Sequence, residues 1–131
     1  MSARVLIVED DPDLRGLLRT MLAMEGLDVD EAPHGRAALD SMQRRRPDLI
    51  LLDMRMPIMD GWAFCRSRWR SQALREIPVI LISAVDLSDT NQPTGVDALL
   101  PKPIDVDRFA QLAARMAGRT SAHARSTRAL H

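Results

Sequence analysis

Lys102 is the only lysine in this chain, and it stands between two prolines in the segment LLPKPID, residues 99–105. The other strong cations are seventeen arginines. A lone lysine beside prolines can be an ordinary solvated residue, since most lysines are exposed. A lysine is also a compact point charge able to hold a phosphoryl oxygen, and the prolines would restrict the backbone that carries it. The other polar residues of the chain decide between these interpretations.

Acidic and hydroxyl residues stand at the ends of three apolar runs that are typical of strands. Glu9 and Asp10 follow RVLIV (residues 4–8), Asp53 ends DLILLD, and Ser83 ends PVILIS. In an open parallel sheet, ligands bind beyond the carboxyl ends of the strands. Together with the lysine after a fifth strand, the pattern predicts acids, a hydroxyl and an ammonium at one edge of the sheet.

That set of groups suits phosphoryl transfer assisted by a hard metal ion. Clustered carboxylates repel one another unless a cation lies between them. Oxygen ligands without nearby Cys or His favour Mg²⁺, which accepts one or two carboxylates and keeps several waters. An ammonium and a hydroxyl can hold the phosphoryl oxygens, and a carboxylate can be the nucleophile that forms an aspartyl phosphate. The restricted position of Lys102 is explained by this chemistry.

Composition limits the class of protein. The 131 residues, 46% hydrophobic and 27% charged, are typical of one soluble globular domain. No apolar run is long enough to span a bilayer, and the N-terminal residues lack a signal-peptide core. The single cysteine, Cys65, cannot form an internal disulfide. We therefore expect a cytoplasmic protein with no membrane partner.

Strand and helix signals alternate along the chain, which predicts β-α-β units and a parallel sheet. The predicted strands are residues 4–8, 27–32, 48–53, 78–83 and 96–100. The second of them alternates apolar and acidic residues and so suits a sheet edge. Helices are predicted in the connections. Asp11 would cap the first of them and Gly26 would end it, and Asp105 would cap the last, at residues 105–117. The connection at 86–95 is rich in residues that disfavour a helix interior.

The last residues differ from the rest of the chain. Residues 119–131 carry three arginines and no acid, whereas the preceding 118 carry fifteen basic and eighteen acidic residues, a net charge of −3. Residues 118–131 are predicted to be a disordered basic tail or a linker remnant, because they have no apolar period. The acidic body, residues 1–117, is not expected to bind DNA directly.

Four segments together resemble the receiver domain of two-component response regulators: LIVEDDPDLR, DLILLDMRMPIMDGW, PVILISA and LLPKPID. The resemblance covers residues 3–117 and implies a flavodoxin-like, doubly wound α/β fold. Its parallel sheet would have five strands in the order 2-1-3-4-5, here with a short or disordered fourth helix. It also implies a phosphorelay protein instead of an enzyme. Its partners would be a sensor histidine kinase or phosphotransfer protein and an unidentified downstream protein, and the chain would be a monomer or weak homodimer.

The resemblance assigns a role to each polar residue at the predicted edge. Asp53 would accept the phosphoryl group, Lys102 would bind it, and Ser83 would donate a hydrogen bond to it. The implied ligands of Mg²⁺, or of Mn²⁺ in its place, are Asp10, Asp53, Glu9 through a water, and the backbone carbonyl of Arg55. Pro57 and Gly61 would shape the loop after the acceptor.

The chain departs from the family pattern at two places. Leu99 stands where receivers commonly carry the aromatic ring of their conformational switch, and the interval from Ser83 to Lys102 is shorter than usual. A phosphorylation-independent interaction module therefore stays open as the alternative. A haloacid-dehalogenase-type phosphatase would need an acid where Arg55 stands, and a flavodoxin-like cofactor binder would need a phosphate loop after the first strand. Whether the chain is a stand-alone receiver or part of a longer regulator or hybrid kinase also stays open.

Overall fold

Strands and helices alternate over the first four strands of the chain. The computed structural model describes residues 3–54, 58–83 and 95–129. The elements are β1 (Arg4–Val8), α1 (Pro12–Met24), β2 (Asp28–Ala32), α2 (Gly35–Arg44), β3 (Leu49–Asp53), α3 (Gly61–Trp69), β4 (Val79–Ser83), β5 (Ala98–Pro101) and α4 (Val106–Ala129). The described residues thus contain five strands and four helices, and they alternate as the sequence predicts from β1 to β4.

The five strands form one parallel sheet in the order β2-β1-β3-β4-β5. In its register, Val5 of β1 lies opposite Val29 of β2 on one side and Leu49 of β3 on the other. The carboxyl ends of all five strands therefore meet at one edge. The predicted doubly wound fold and its strand order are confirmed.

Each face of the sheet buries its own layer of apolar side chains. Leu6 and Val8 of β1 belong to the layer that includes Phe64 of α3, whereas Val5 and Ile7 belong to the layer on the other face. Every residue of β3 and β4 is buried, because helices cover both faces. Each large apolar side chain buried in this way contributes roughly 1.5–3 kcal/mol. These layers hold the strand ends rigidly where the polar residues lie.

Strand β2 lies at the sheet edge, as its acidic alternation predicts. Its acids pair with arginines of neighbouring elements: Asp30 with Arg4 and Arg45, and Glu31 with Arg15 and Arg19. Charged side chains along an edge strand discourage pairing with another chain.

Three helix ends, two of them on α1 and one on α4, follow from local sequence. The Asp11 carboxylate accepts a hydrogen bond from the Asp13 N–H at 2.9 Å, with Pro12 at the first helical position of α1. Gly26, at a φ of 78°, follows α1 in the left-handed conformation. Asp105 accepts from the Arg108 N–H at 3.2 Å at the start of α4. All three were predicted from residue type and spacing.

Helix α4 runs to Ala129, beyond the predicted domain end at residue 117. Residues 118–129 are thus helical where their composition predicted a disordered tail. Alanine and arginine favour helix, and extending a packed helix requires no new nucleation. The domain boundary itself stays a prediction.

Two further expectations concern the helices. The short or disordered fourth helix was predicted within residues 86–95, of which 86–94 lie outside the described residues. Of the helices that the structure describes, none is both long and apolar enough to cross a membrane.

Candidate functional site

The carboxyl edge of the sheet brings together the polar residues that the sequence singled out. Glu9 follows β1, Asp53 and Ser83 end β3 and β4, and Lys102 follows β5. These four strands are neighbours in the sheet. Glu9, Asp53 and Ser83 are buried, with 2%, 7% and 6% of their surface exposed. Polar groups buried at one edge of an apolar sheet need a functional or structural explanation.

Lys102 lies between two carboxylates from different strands. Its Nζ is 3.5 Å from Asp53 Oδ1 and 3.9 Å from Glu9 Oε1. The Lys102 N–H also donates to the Ser83 carbonyl at 2.9 Å, which ties the lysine backbone to the end of β4. The peptide bond to Pro103 is cis. The ammonium of the only lysine is therefore held beside the buried Asp53 carboxylate.

Glu9, Asp10 and Asp53 form a group of acids that could hold a metal ion. One carboxylate oxygen from each lies within 4.8 Å of one from each of the others. Asp10 is exposed, whereas the other two are buried. The donors are all oxygens, which fits a hard cation such as Mg²⁺.

The electrostatics of this group are unfavourable without a further cation. Burial raises the pKa of the Glu9 carboxyl to about 8, and the hydrogen bond and negative charge of Asp53 add to the rise. The Lys102 ammonium acts in the opposite direction, but does not cancel the effect. One ammonium therefore does not neutralise three carboxylates, and a divalent cation would complete the balance.

Gly61, predicted to shape the loop after the acceptor, lies against the residue that follows Asp53. A Cβ at Gly61 would be 2.8 Å from the Met54 Sδ and 3.0 Å from the Met54 Cα. The Gly61 N–H donates to the Met54 carbonyl at 3.0 Å. Only glycine allows this approach of α3 to the end of β3. Arg55 and Pro57, the other predicted residues of this loop, lie outside the described residues.

Leu99, at the position of the usual aromatic switch residue, is half-buried. It packs against the apolar layer that contains Leu81 and Phe64. An apolar contact of this kind holds the side chain against the sheet. The loss of aromatic character noted in the sequence is thus accommodated by ordinary core packing.

Arg15 is part of this site, although the sequence analysis did not single it out. Its Nη1 donates to the backbone carbonyl of Glu9 at 2.9 Å. The signal that could have identified it is an arginine early in the helix that follows the acid pair. Its reach to the loop depends on the geometry of α1 and not on residue type alone.

Together these groups provide a carboxylate nucleophile, a cation to hold an incoming anion, and acids for a metal. Asp53 belongs to the metal group and, at 3.5 Å, lies nearer to the Lys102 ammonium than Glu9 does at 3.9 Å. A phosphoryl group on Asp53 would meet positive charge from the Lys102 ammonium and from a metal ion held by the acids. The arrangement suits phosphoryl transfer to a carboxylate.

Comparison with known proteins agrees with this chemistry. The family model for the response regulator receiver domain matches residues 5–114. Response regulator PleD of Caulobacter vibrioides is 43% identical over 108 residues, covering 80% of this chain and 24% of PleD. The DNA-binding dual master transcriptional regulator RpaA of Synechocystis is 35% identical over 109 residues, covering 81% of this chain and 45% of RpaA. The chain thus spans less than half the length of these two relatives.

A solved structure shows the same fold. The receiver domain of sensor histidine kinase PA1611 from Pseudomonas aeruginosa, with a magnesium ion coordinated in its active site cleft, has a TM-score of 0.81 and 28% identity. The match covers 90% of this chain and 99% of that domain. With the family model matched over most of its length, the chain belongs to the response regulator receiver domain family.

Proposed function

We propose that Asp53 accepts a phosphoryl group from the phosphohistidine of a sensor kinase or phosphotransfer protein, in a Mg²⁺-dependent reaction. The observation that carries this proposal is the buried Asp53 carboxylate, 3.5 Å from the Lys102 ammonium and grouped with two further acids. Receiver domains are signalling phosphoacceptors and not classical enzymes. The modified domain then changes conformation and controls a partner.

Each residue has a defined part in the transfer. An Asp53 oxygen attacks phosphorus, the bond from phosphorus to the imidazole nitrogen breaks, and an acyl phosphate forms. Lys102 and Ser83 hold the phosphoryl oxygens. The metal would be held by Asp10, Asp53, Glu9 through a water, and the carbonyl of Arg55. When bound, Mg²⁺ neutralises charge on the carboxylates and the transferred group. The magnesium ion in the PA1611 receiver supports this assignment.

The downstream partner is proposed to be a protein. The first 118 residues carry a net charge of −3, which disfavours contact with a polyanion. RpaA is named as a DNA-binding regulator, but the matched region is less than half of that protein. Cys65 is free and buried, which is compatible with the reducing cytoplasm. We therefore place the phosphoryl transfer to Asp53 in the cytoplasm.

The test is the intact mass of the protein after incubation with acetyl phosphate, with and without Mg²⁺. We expect the mass of one added phosphoryl group only when Mg²⁺ is present, because the crowded carboxylates repel the donor otherwise. A phosphohistidine-bearing protein as donor should give the same product. Absence of both the mass gain and Mg²⁺ binding would instead support the phosphorylation-independent interaction module.

Lys102→Ala is expected to accept phosphate at Asp53 but to lose the conformational response. Its ammonium is the positive charge that meets the new phosphoryl group, whereas the nucleophile itself is untouched. Lys102→Arg should not restore the response fully, because the planar guanidinium differs in shape from an ammonium. Intact mass measures loading, and amide hydrogen exchange before and after loading measures the response. A full response in the alanine variant would contradict this role.

A further inference from the structure

We propose that Arg15 is a positioning residue that orients the acid pair Glu9–Asp10 toward the metal site. This inference rests on the proposed function, since it concerns the ligands of the proposed Mg²⁺. Arg15 lies on α1 and not on the loop that it contacts. Its guanidinium links that loop to strand β2 through two different nitrogens.

The peptide group between Glu9 and Asp10 is held at both of its polar atoms. Its carbonyl accepts from Arg15 Nη1 at 2.9 Å, and its N–H donates to Glu9 Oε2 at 3.0 Å. The preceding peptide is held as well, since the Glu9 N–H donates to the Ala32 carbonyl at 3.0 Å. A peptide group is planar, so two bonds on opposite edges fix its rotation. That rotation sets the direction of the Asp10 side chain relative to that of Glu9.

Arg15 is itself anchored by the edge strand. Its Nε lies 3.3 Å from Glu31 Oε1, and Arg19 Nη1 lies 3.1 Å from Glu31 Oε2. Because a guanidinium is rigid and planar, an anchor at Nε also aims Nη1. Glu31 therefore holds Arg15 in the orientation that reaches the Glu9 carbonyl.

The positive charge of Arg15 and its hydrogen bond act on Mg²⁺ binding in opposite directions. A cation near the acid group repels Mg²⁺, so its charge alone would weaken metal binding. The hydrogen bond to Glu9 preorganises two ligands, and partners of this kind typically contribute 10–100-fold to metal affinity. If positioning dominates, a neutral replacement weakens Mg²⁺ binding. If charge dominates, the same replacement strengthens it.

Arg19 provides the matched control. It lies one turn further along α1 and pairs with the same Glu31 carboxylate, and its side chain is 61% exposed. Arg15→Met and Arg19→Met each remove one positive charge and one ion pair with Glu31. Only Arg15→Met removes the donor to the Glu9 carbonyl. Both ion pairs are at least partly open to solvent, where such pairs contribute little to stability, so neither variant should lose its fold.

The experiment is a MgCl₂ titration of wild type and both variants, followed by amide resonances in nuclear magnetic resonance spectra. We expect the dissociation constant of Arg15→Met to rise about tenfold and that of Arg19→Met to stay within about twofold of wild type. In the metal-free proteins, the Asp10 amide should exchange faster in Arg15→Met alone. Glu31→Gln weakens the ion pair that anchors Arg15 but keeps Arg15 itself, so it should lose less Mg²⁺ affinity than Arg15→Met. This variant replaces Arg15→Met in the test if Arg15→Met does not fold.

Wild-type affinity or tighter binding in Arg15→Met, with an unchanged Asp10 amide, would overturn the positioning role while leaving the proposed function intact. Equal losses of Mg²⁺ affinity in Arg15→Met and Arg19→Met would also overturn it. The removal of one positive charge, which the two variants have in common, would then explain both losses. No Mg²⁺ binding by wild type would overturn the proposed metal site and this inference together.

Discussion

Asp53→Asn is expected to remain at its unmodified mass under conditions in which the wild-type chain gains one phosphoryl group. The amide keeps the size of the buried side chain but lacks the carboxylate that forms an acyl phosphate. Asp53 is also the acid that faces the Lys102 ammonium at 3.5 Å. The measurement is intact mass after incubation with acetyl phosphate and Mg²⁺.

Asp60→Asn is the matched control for this prediction. Asp60 is exposed, seven residues after Asp53, and its carboxylate caps α3 by accepting from the Ala63 N–H at 2.9 Å. Asparagine is as good a helix cap as aspartate, so folding should be preserved. This variant should gain the phosphoryl group as wild type does. A mass gain in Asp53→Asn would show that another residue is the acceptor, which fragment mass analysis would identify.

Glu9→Gln is expected to stabilise the metal-free protein while weakening its binding of Mg²⁺. Burial raises the pKa of Glu9 to about 8, so holding this carboxylate ionised costs folding free energy. Glutamine removes the charge and keeps the shape, which should raise the free energy of unfolding by roughly 1–3 kcal/mol at pH 8.5. The affinity for Mg²⁺ should fall about tenfold if Glu9 acts through a water.

The stabilisation has a defined pH dependence. The pKa of Glu9 is about 8 in the folded protein against an ordinary value of 4.5, so between these values only the folded state keeps the proton. Wild-type stability must therefore fall relative to Glu9→Gln as pH rises through this window, and the difference levels off above pH 8. Near pH 4.5 the two proteins should be almost equally stable. Denaturant unfolding of both, with chelator present, measures the difference.

Glu25→Gln controls for the loss of a carboxylate as such. Glu25 is exposed at the end of α1, so its replacement should change stability by less than about 0.5 kcal/mol at any pH in this window. A Glu9→Gln variant less stable than wild type at pH 8.5 would show that the Glu9 carboxylate is satisfied by its neighbours. In that case the metal-free site would need no further cation.

Much of the fold was predictable because its signals are local. Continuous apolar runs identified β3 and β4, and the acidic alternation of β2 identified a sheet edge. Asp11, Gly26 and Asp105 marked helix ends through residue type alone. The extension of α4 to Ala129 was not predicted, since helix propagation from a packed segment depends on the packing that precedes it.

Arg68 shows what residue type cannot predict. Arginine side chains are usually exposed to solvent, yet Arg68 is 1% exposed. Its Nη2 donates to the carbonyls of Arg75, Ile77 and Gly95, at 3.0, 2.6 and 3.3 Å. These acceptors lie 7, 9 and 27 residues away. Its burial therefore depends on segments that meet only in the folded chain.

The sequence by itself determined which residues stand at the strand ends, because strand and helix periods are local and parallel strands end at one edge. That places Glu9, Asp53, Ser83 and Lys102 together at one edge of the sheet. Only the tertiary structure decided how they interact. The burial that raises the pKa of Glu9, and the reach of Arg15 to the Glu9 carbonyl, arise from the approach of distant segments. Desolvation and hydrogen-bond geometry depend on how these distant segments approach one another, and no local sequence pattern predicts that approach.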